Sequence, residues 1–130
     1  MQFRIVAAAC AVFAISIAAP ACAAPKFAAA IPNIPDKSLI IGEVNYGPGE
    51  ATPAHTHAKS AFIYAYVISG AIESKVNDGE TRIYHAGEGW SEPPGATHSI
   101  CRNASTTEPA KMLTVFVVDT NHEAMLTHVK

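Results

Sequence analysis

A chain of 130 residues with a formal net charge of −2 and no cluster of basic side chains lacks the electrostatic character of a nucleic-acid-binding protein. Its length is enough for one domain with a real hydrophobic core, and the sequence shows no internal repeat or low-complexity tract. We therefore expect a single domain that does not bind nucleic acid.

The first 23 residues have the order of a secretory signal peptide. Arg4 precedes an uncharged apolar run over residues 5–19, and Ala21-Cys22-Ala23 supplies a small-x-small cleavage site. Cleavage after Ala23 predicts a periplasmic or secreted protein with no membrane span in the rest of the chain. A membrane anchor fits less well, because the apolar run is shorter than the ~20 residues that span a bilayer. A lipoprotein also fits less well, because Cys22 lacks the usual leucine before it.

The same cleavage decides the cysteine chemistry. Cys10 and Cys22 leave with the signal, so Cys101 alone remains and no internal disulfide can form. Cys101 has the opposite strand parity from His98. We expect it to be a small buried residue that does not share the face of that histidine.

Residues 24–36 contain three prolines and are predicted to form an extended N-terminal arm. The arm either exchanges as a strand with a neighbouring subunit or lies loosely on the surface. The domain itself is predicted to cover residues 37–130.

From residue 37 onward, short apolar stretches alternate with turns every eight to twelve residues, which is typical of an all-β sandwich or barrel. Asn77-Asp78-Gly79 predicts a hairpin, because Asn and Gly accept positive φ. Phe62–Ser69 is apolar almost throughout, which predicts a central strand buried on both faces. Residues 121–130 are predicted to be a short helical turn or a frayed tail. The other predicted strands, also short, are Ser38–Tyr46, Ala71–Val76, Thr81–His85, Trp90–Glu92, Thr97–Arg102 and Lys111–Asp119.

Three histidines carry the central functional hypothesis. His55 and His57 are two residues apart, so they lie on one face of a strand. His98 follows about forty residues later, behind a Pro-x-Gly turn. Three imidazoles brought together from separate strands make a metal site of nitrogen ligands. Ser-His-Asp catalysis has no support, because no serine lies in a nucleophile-elbow motif.

The spacing around these histidines resembles the two motifs of the cupin superfamily. The first motif, G-x5-H-x-H-x3,4-E-x6-G, is matched by Gly49, His55, His57 and Gly70. The second motif, G-x5-P-x-G-x2-H-x3-N, is matched in register by residues 87–98, and its asparagine comes one position late, at residue 103.

This resemblance implies an all-β, cupin-type double-stranded jelly-roll barrel, in which the motif histidines point into the barrel. It also implies a divalent transition metal as cofactor, with iron, manganese, zinc, nickel and copper all open. Transferred position by position, the metal ligands are His55, His57 and His98. Small cupins often pair, so the resemblance also implies a homodimer.

The glutamate of the first motif is missing from its place. Counting back from Gly70 places it at Ile63, and counting forward from His57 places it at Ala61 or Phe62. None of these side chains binds a metal. Either three neutral imidazoles hold an ion whose charge is uncompensated and attracts an anionic ligand, or the site has decayed to a plain pocket. We favour the metal, because burying imidazoles without partners is costly.

Several other side chains are candidates for the site. Glu92 could supply a substitute carboxylate but is more typical of a rim charge, and Glu50 and Glu73 have weaker claims. Tyr64 and Tyr66 are more typical of core or dimer interface than of ligand binding. The remaining candidates are expected to pack near the pocket mouth (Trp90), to lie in solvent (His85) or to be incidental (His122 and His128).

These expectations lead to two functions that the sequence leaves open. The first is a periplasmic or secreted metal-dependent dioxygenase that acts on a small enolic or carboxylate substrate. The alternative is a non-catalytic module that binds a small molecule or a sugar in the same pocket, since the fold does not decide between them. The catalytic residues, the substrate and the identity of the metal stay open at this stage.

Overall fold

The computed structural model describes residues 24–122 and 126–129, so the predicted signal peptide, residues 1–23, lies outside the described residues. The described part of the chain consists of short strands joined by turns. Within it, no helix has the length and hydropathy of a membrane span.

Eleven strands make up the described fold. In chain order they are β1 (Ala24–Ala30), β2 (Lys37–Tyr46), β3 (Ala51–Thr52), β4 (His55–His57), β5 (Phe62–Ser69), β6 (Ala71–Val76), β7 (Arg82–His85), β8 (Gly89–Glu92), β9 (Thr97–Asn103), β10 (Ala110–Asp119) and β11 (Leu126–His128). The seven strands predicted from the sequence all form, with bounds that differ by at most one residue.

The strands build two antiparallel sheets. The first has the order β1-β2-β10-β5-β8, and the second has the order β11-β4-β9-β6-β7 with β3 beside β9. Consecutive strands cross repeatedly from one sheet to the other, as in a jelly roll. The all-β jelly-roll prediction is confirmed.

Strand β5 shows how the core lies between the sheets. Its buried side chains are Ile63, Ala65 and Val67, and they alternate with Phe62, Tyr64, Tyr66 and Ile68, each of which is at least two-fifths exposed. The prediction that this strand is buried on both faces is therefore wrong for the single chain. The sequence of β5 is apolar almost throughout because one face of the strand lies in the core and the other, also apolar, lies on the outer surface of the first sheet.

The N-terminal arm is extended, as predicted, but it is not loose. Its first seven residues form β1, which pairs antiparallel with β2 of the same chain from Ala24↔Glu43 to Ala30↔Ser38. Residues 31–36 make the turn between the two strands, and Asp36 takes a positive φ of 58° there.

Two turn positions explain local sequence choices. Gly70 has a φ of 72°, and a Cβ at this position would lie 2.5 Å from the carbonyl oxygen of Pro109, so only glycine fits. Asn77 has a φ of 50° in the turn that joins β6 to β7, and the predicted hairpin is confirmed.

The chain end was predicted to be a helical turn or a frayed tail, and this is wrong for residues 126–128. They form β11, which pairs antiparallel with β4, so that Leu126 lies opposite His57 and His128 opposite His55. The second sheet therefore extends past the strand that carries two of the motif histidines.

Candidate metal centre

The three motif histidines come together on two neighbouring strands of the second sheet. His55 and His57 lie on β4, and His98 lies on β9 directly opposite His55. All three side chains are buried, and one ring nitrogen from each lies within 4.8 Å of the others. The period-two alternation of β4 turns both of its histidines inward, as the sequence predicted.

The Pro-Pro-Gly turn fixes the third histidine beside the first two. The N–H of Ala96 donates to the carbonyl of Pro93 at 3.0 Å, which closes the turn. The N–H of His57 then donates to the carbonyl of Ala96 at 3.0 Å, and the N–H of Gly95 donates to that of Ala58 at 3.2 Å. The turn is thus hydrogen-bonded to the end of β4, and β9 leaves it with His98 in register.

The ring of His55 is oriented by the backbone. Its Nδ1 lies 2.8 Å from the carbonyl oxygen of Pro53, and a carbonyl can only accept, so Nδ1 carries the proton. The lone pair of the neutral ring is then on Nε2, which lies 3.2 Å from Nε2 of His57. A hydrogen bond of this kind is how proteins fix the tautomer of a metal-binding histidine.

His98 is held from both sides of its ring. Its Nε2 lies 2.8 Å from the hydroxyl of Ser74 on β6, and its Nδ1 lies 3.3 Å from Oε1 of Glu92. The Ser74 hydroxyl can donate or accept, so it can hold either tautomer.

Glu92 lies inside the cluster and not on the rim. It is the last residue of β8 in the first sheet, and only 2% of its surface is exposed. Its Oε2 lies 3.0 Å from Nε2 of His57, and its Oε1 accepts a hydrogen bond from the indole N–H of Trp90 at 3.0 Å. The expectation that Glu92 is a rim charge is wrong, because β8 turns Trp90 and Glu92 inward and Ser91 outward.

Burial sets the protonation of the cluster. It lowers the pKa of His98 to about 4, and it also lowers the pKa of His55, so both rings are neutral at pH 7. Burial acts to raise the pKa of Glu92, but His57 and His98 outweigh it and hold that pKa below its ordinary value. The site therefore offers neutral imidazoles together with an ionised carboxylate.

A small cavity of about 60 Å³ opens beside the cluster. Its exposed surface is mostly apolar and comes from both sheets, and its polar lining consists of the three histidines, Glu92 and the side chains of Tyr46, Thr52, Thr114 and Cys101. Burial raises the pKa of the Cys101 thiol to about 12 and also raises the pKa of the Tyr46 phenol above its ordinary value. Both groups therefore stay protonated at neutral pH.

Cys101 lies on the same face of β9 as His98, although the two residues differ in strand parity. Cys101 is buried, as predicted. The prediction that it lies off the face of His98 is wrong, because both side chains line the same cavity. The pairing of β9 with β6 shifts register between Ile100 and His98, where Ser99 is an extra residue. Such a bulge moves every later side chain to the other face of the strand.

Comparison with known proteins decides the family. Residues 42–116, more than half of the chain, match the Cupin domain family. This chain is a cupin. The matched segment runs from β2 to β10 and contains the three clustered histidines. A search of curated proteins found no match to the chain.

Solved structures of other proteins share the fold at low identity. An oxalate oxidase is 23% identical, with 63% of this chain and 46% of that chain covered and a TM-score of 0.54. An uncharacterized protein with a double-stranded beta-helix domain from Klebsiella pneumoniae is also 23% identical, with 81% of this chain and 85% of that chain covered and a TM-score of 0.57. A structure of the DMSP lyases RdDddP and RnDddQII is 17% identical, with 71% of this chain and 44% of that chain covered and a TM-score of 0.59. This cupin spans about half the length of the oxalate oxidase, and at these identities the likeness shows the fold alone.

The other candidate residues lie away from the cluster. The carboxylate of Glu50 accepts a hydrogen bond from the backbone N–H of Gly47. The carboxylate of Glu73 forms an ion pair with Arg102. His85 and His128 are exposed, and His122 is only partly buried; the six histidines of this cupin thus divide into a buried three and a peripheral three. The tyrosines at 64 and 66 point outward, so they do not offer hydroxyls to a ligand in the cavity.

Proposed function

We propose that this cupin binds one divalent transition metal ion through His55, His57 and His98. One observation carries the proposal: three buried imidazoles converge from two paired strands, with a nitrogen of each within 4.8 Å of the others. Burying three polar rings together costs desolvation, and a core that only needed packing would hold apolar side chains at these positions.

The donor set fits a first-row divalent ion. Bonds of about 2.1 Å to one ion allow two ligand atoms to lie up to about 4.2 Å apart. The nitrogens lie within 4.8 Å of one another, so ring rotations would have to draw them together onto one ion. Imidazole donors suit zinc, copper, iron and nickel, and the nearby carboxylate also admits manganese.

The surrounding residues prepare the rings for ligation. The Pro53 carbonyl keeps the proton of His55 on Nδ1, which leaves Nε2 available to the ion. Ser74 holds the ring of His98 from the β6 side. Because burial keeps both rings neutral, no proton has to be displaced from them at pH 7 before an ion binds.

The cavity restricts the substrate to a small molecule. A volume of about 60 Å³ holds only a few atoms beside an ion, and the surface around them is mostly apolar. A bound redox-active ion would supply Lewis acidity and a centre for oxygen chemistry. The hydroxyl of Tyr46 lines the cavity and donates a hydrogen bond to Sγ of Cys101 at 3.3 Å, so both groups present a neutral, polar edge to a substrate.

We therefore propose a metal-dependent oxygenase acting on a small carboxylate or enolic substrate. The oxalate oxidases of similar fold take a small carboxylate, glycolate, as a substrate analogue, which supports a substrate of this size. The signal-like order of residues 1–23 supports a periplasmic or secreted location for the reaction.

The alternative proposal is a non-catalytic module that binds a small molecule in the same cavity. It is favoured by the mostly apolar cavity wall, which needs no metal to hold a small ligand. The two functions differ in turnover: a loaded oxygenase consumes O2 in the presence of small carboxylates or enols, whereas a binding module does not.

Calorimetric titration with Fe(II), Mn(II), Zn(II) and Cu(II) tests the metal proposal. We expect wild type to bind at one site, and His55→Ala, His57→Ala and His98→Ala each to lose most of that binding. His85→Ala is the matched control, because His85 is an exposed histidine outside the cluster. A wild type that binds none of the four ions would contradict the proposal.

A further inference from the structure

We infer that Glu92 is the fourth ligand of the ion, and that its carboxylate replaces the glutamate missing from the first cupin motif. The inference rests on the proposed binding of a metal by the three histidines. It adds an anionic ligand from the opposite sheet, at a position where the family motifs place no ligand.

The distances place the carboxylate beside two of the three nitrogen donors. Oε2 of Glu92 lies 3.0 Å from Nε2 of His57, and Oε1 lies 3.3 Å from Nδ1 of His98. The three histidines come from the second sheet and Glu92 comes from the first, so the four side chains meet between the two layers. An ion among them would have protein ligands from both sheets.

The two carboxylate oxygens of Glu92 differ in their partners. Oε1 accepts the hydrogen bond from Trp90, which orients the carboxylate. Oε2 is fully buried and has no hydrogen bond of good geometry among the described residues, although His57 is close. A buried carboxylate oxygen is costly to leave without a donor or cation. A divalent ion between Oε2 and the imidazoles would satisfy it.

The strand register explains why this carboxylate can replace the missing one. Counting back from Gly70 places the motif glutamate at Ile63, and Ile63 is the cross-strand partner of Glu92 in the β5–β8 ladder. Directly paired residues project to the same face of a sheet, and both side chains are buried. The carboxylate of Glu92 thus lies on the strand next to the motif position, at the same level of the barrel.

The two other positions counted for the motif glutamate do not offer this geometry. Phe62 is half exposed on the outer face of the first sheet. Ala61 is buried but does not line the cavity, whereas Ile63 and Glu92 both do.

This ligand changes the charge of the site. Three neutral imidazoles would leave the +2 charge of the ion uncompensated, and Glu92 reduces the net charge to +1. The loaded site should therefore attract an anionic substrate less strongly than a three-histidine site would. It should also accept ions that prefer oxygen ligands, manganese in particular.

Metal titration of Glu92→Gln tests the inference, because the amide keeps an oxygen for the Trp90 hydrogen bond but removes the charge. We expect Glu92→Gln to lower the affinity for Mn(II) by at least about tenfold, and to lower it more for Mn(II) than for Zn(II), which depends less on a carboxylate. Glu88→Gln, an exposed carboxylate before the same strand, should bind both ions like wild type. Equal affinities of Glu92→Gln and wild type for Mn(II), with the histidine variants impaired, would overturn this inference alone.

A crystal structure of the Mn(II)-loaded wild type separates a ligand from a residue that only positions His98. Direct ligation predicts an oxygen of Glu92 at about 2.0–2.2 Å from the ion. A carboxylate that stays beyond about 3 Å and contacts only the imidazoles would overturn the inference, even if the substitution weakens binding. If wild type binds no ion at all, the proposed function fails as well.

Discussion

Ile63 and Glu92 lie directly opposite each other on β5 and β8, and both side chains are buried and line the same cavity as the three histidines. The first of them occupies the position that the family motif gives to glutamate, counted back from Gly70. The second places a carboxylate at the same level, one strand away. The cluster therefore keeps the donor types of a full cupin site although its motif is incomplete.

This pairing predicts that the carboxylate can be moved back. In the double variant Ile63→Glu/Glu92→Gln, we expect Mn(II) affinity to recover at least about tenfold relative to Glu92→Gln alone, because the new carboxylate faces the same ion. Calorimetric titration measures the change, and Ile63→Gln/Glu92→Gln is the control without charge. Equal affinities of the two double variants would show that a carboxylate at residue 63 does not reach the ion.

The pH dependence of metal binding should follow from the buried histidines. An exposed histidine has a pKa of about 6.5, so the sequence alone predicts that affinity falls through that pH. Burial lowers the pKa of His98 to about 4 and also lowers that of His55. Because a proton competes with the ion only below the pKa of the ring, we expect ligation by His98 to persist at pH 6 and to be lost toward pH 4, and ligation by His55 to persist below the ordinary pKa of a histidine. Titrations across this range check it, and a loss complete by pH 6 would contradict it.

The outer face of β5 is predicted to mediate self-association. Phe62, Tyr64, Tyr66 and Ile68 form an exposed apolar row on the first sheet, and such a face is unusual for a monomer. We expect light scattering at micromolar concentration to give the mass of a dimer, and Phe62→Lys to weaken the association by about tenfold. Ile83→Lys is the matched control, because Ile83 is equally exposed but lies on β7 of the other sheet. A wild-type monomer at high concentration would contradict the prediction.

Processing of the N-terminus stays a prediction. Arg4, the apolar run and the Ala21-Cys22-Ala23 sequence predict that the exported protein begins at Ala24 and carries no lipid. Intact-mass measurement of protein from the exported fraction gives the answer directly. A product that retains Met1 in the cytosolic fraction, or a lipid on Cys22, would contradict it.

The parts of the structure that follow from local patterns could be predicted from the sequence. Strand bounds follow from apolar stretches between Gly, Pro and Asn turns, and the hairpin after β6 follows from the backbone freedom of Asn77 and Gly79. The convergence of His55 and His57 follows from the period of a strand. Placing His98 beside them required the motif spacing and its Pro-x-Gly turn.

The parts that depend on pairing between distant strands could not be predicted. The extra residue in β9 reverses the face of Cys101, and nothing in the sequence around Ser99 indicates a bulge. The inward position of Glu92 is decided by the register of β8 against β5. Strand β11 is three residues long, too short for a period, and it forms because β4 offers an open edge.

Elemental analysis of the protein purified from its native compartment tests the central claim most directly. Wild type and His85→Ala should each carry close to one transition metal ion per chain, whereas His55→Ala, purified in the same way, should carry almost none. The claim would be contradicted by a wild type that holds no transition metal even after incubation with Fe(II), Mn(II), Zn(II) and Cu(II), or by His55→Ala holding as much metal as wild type.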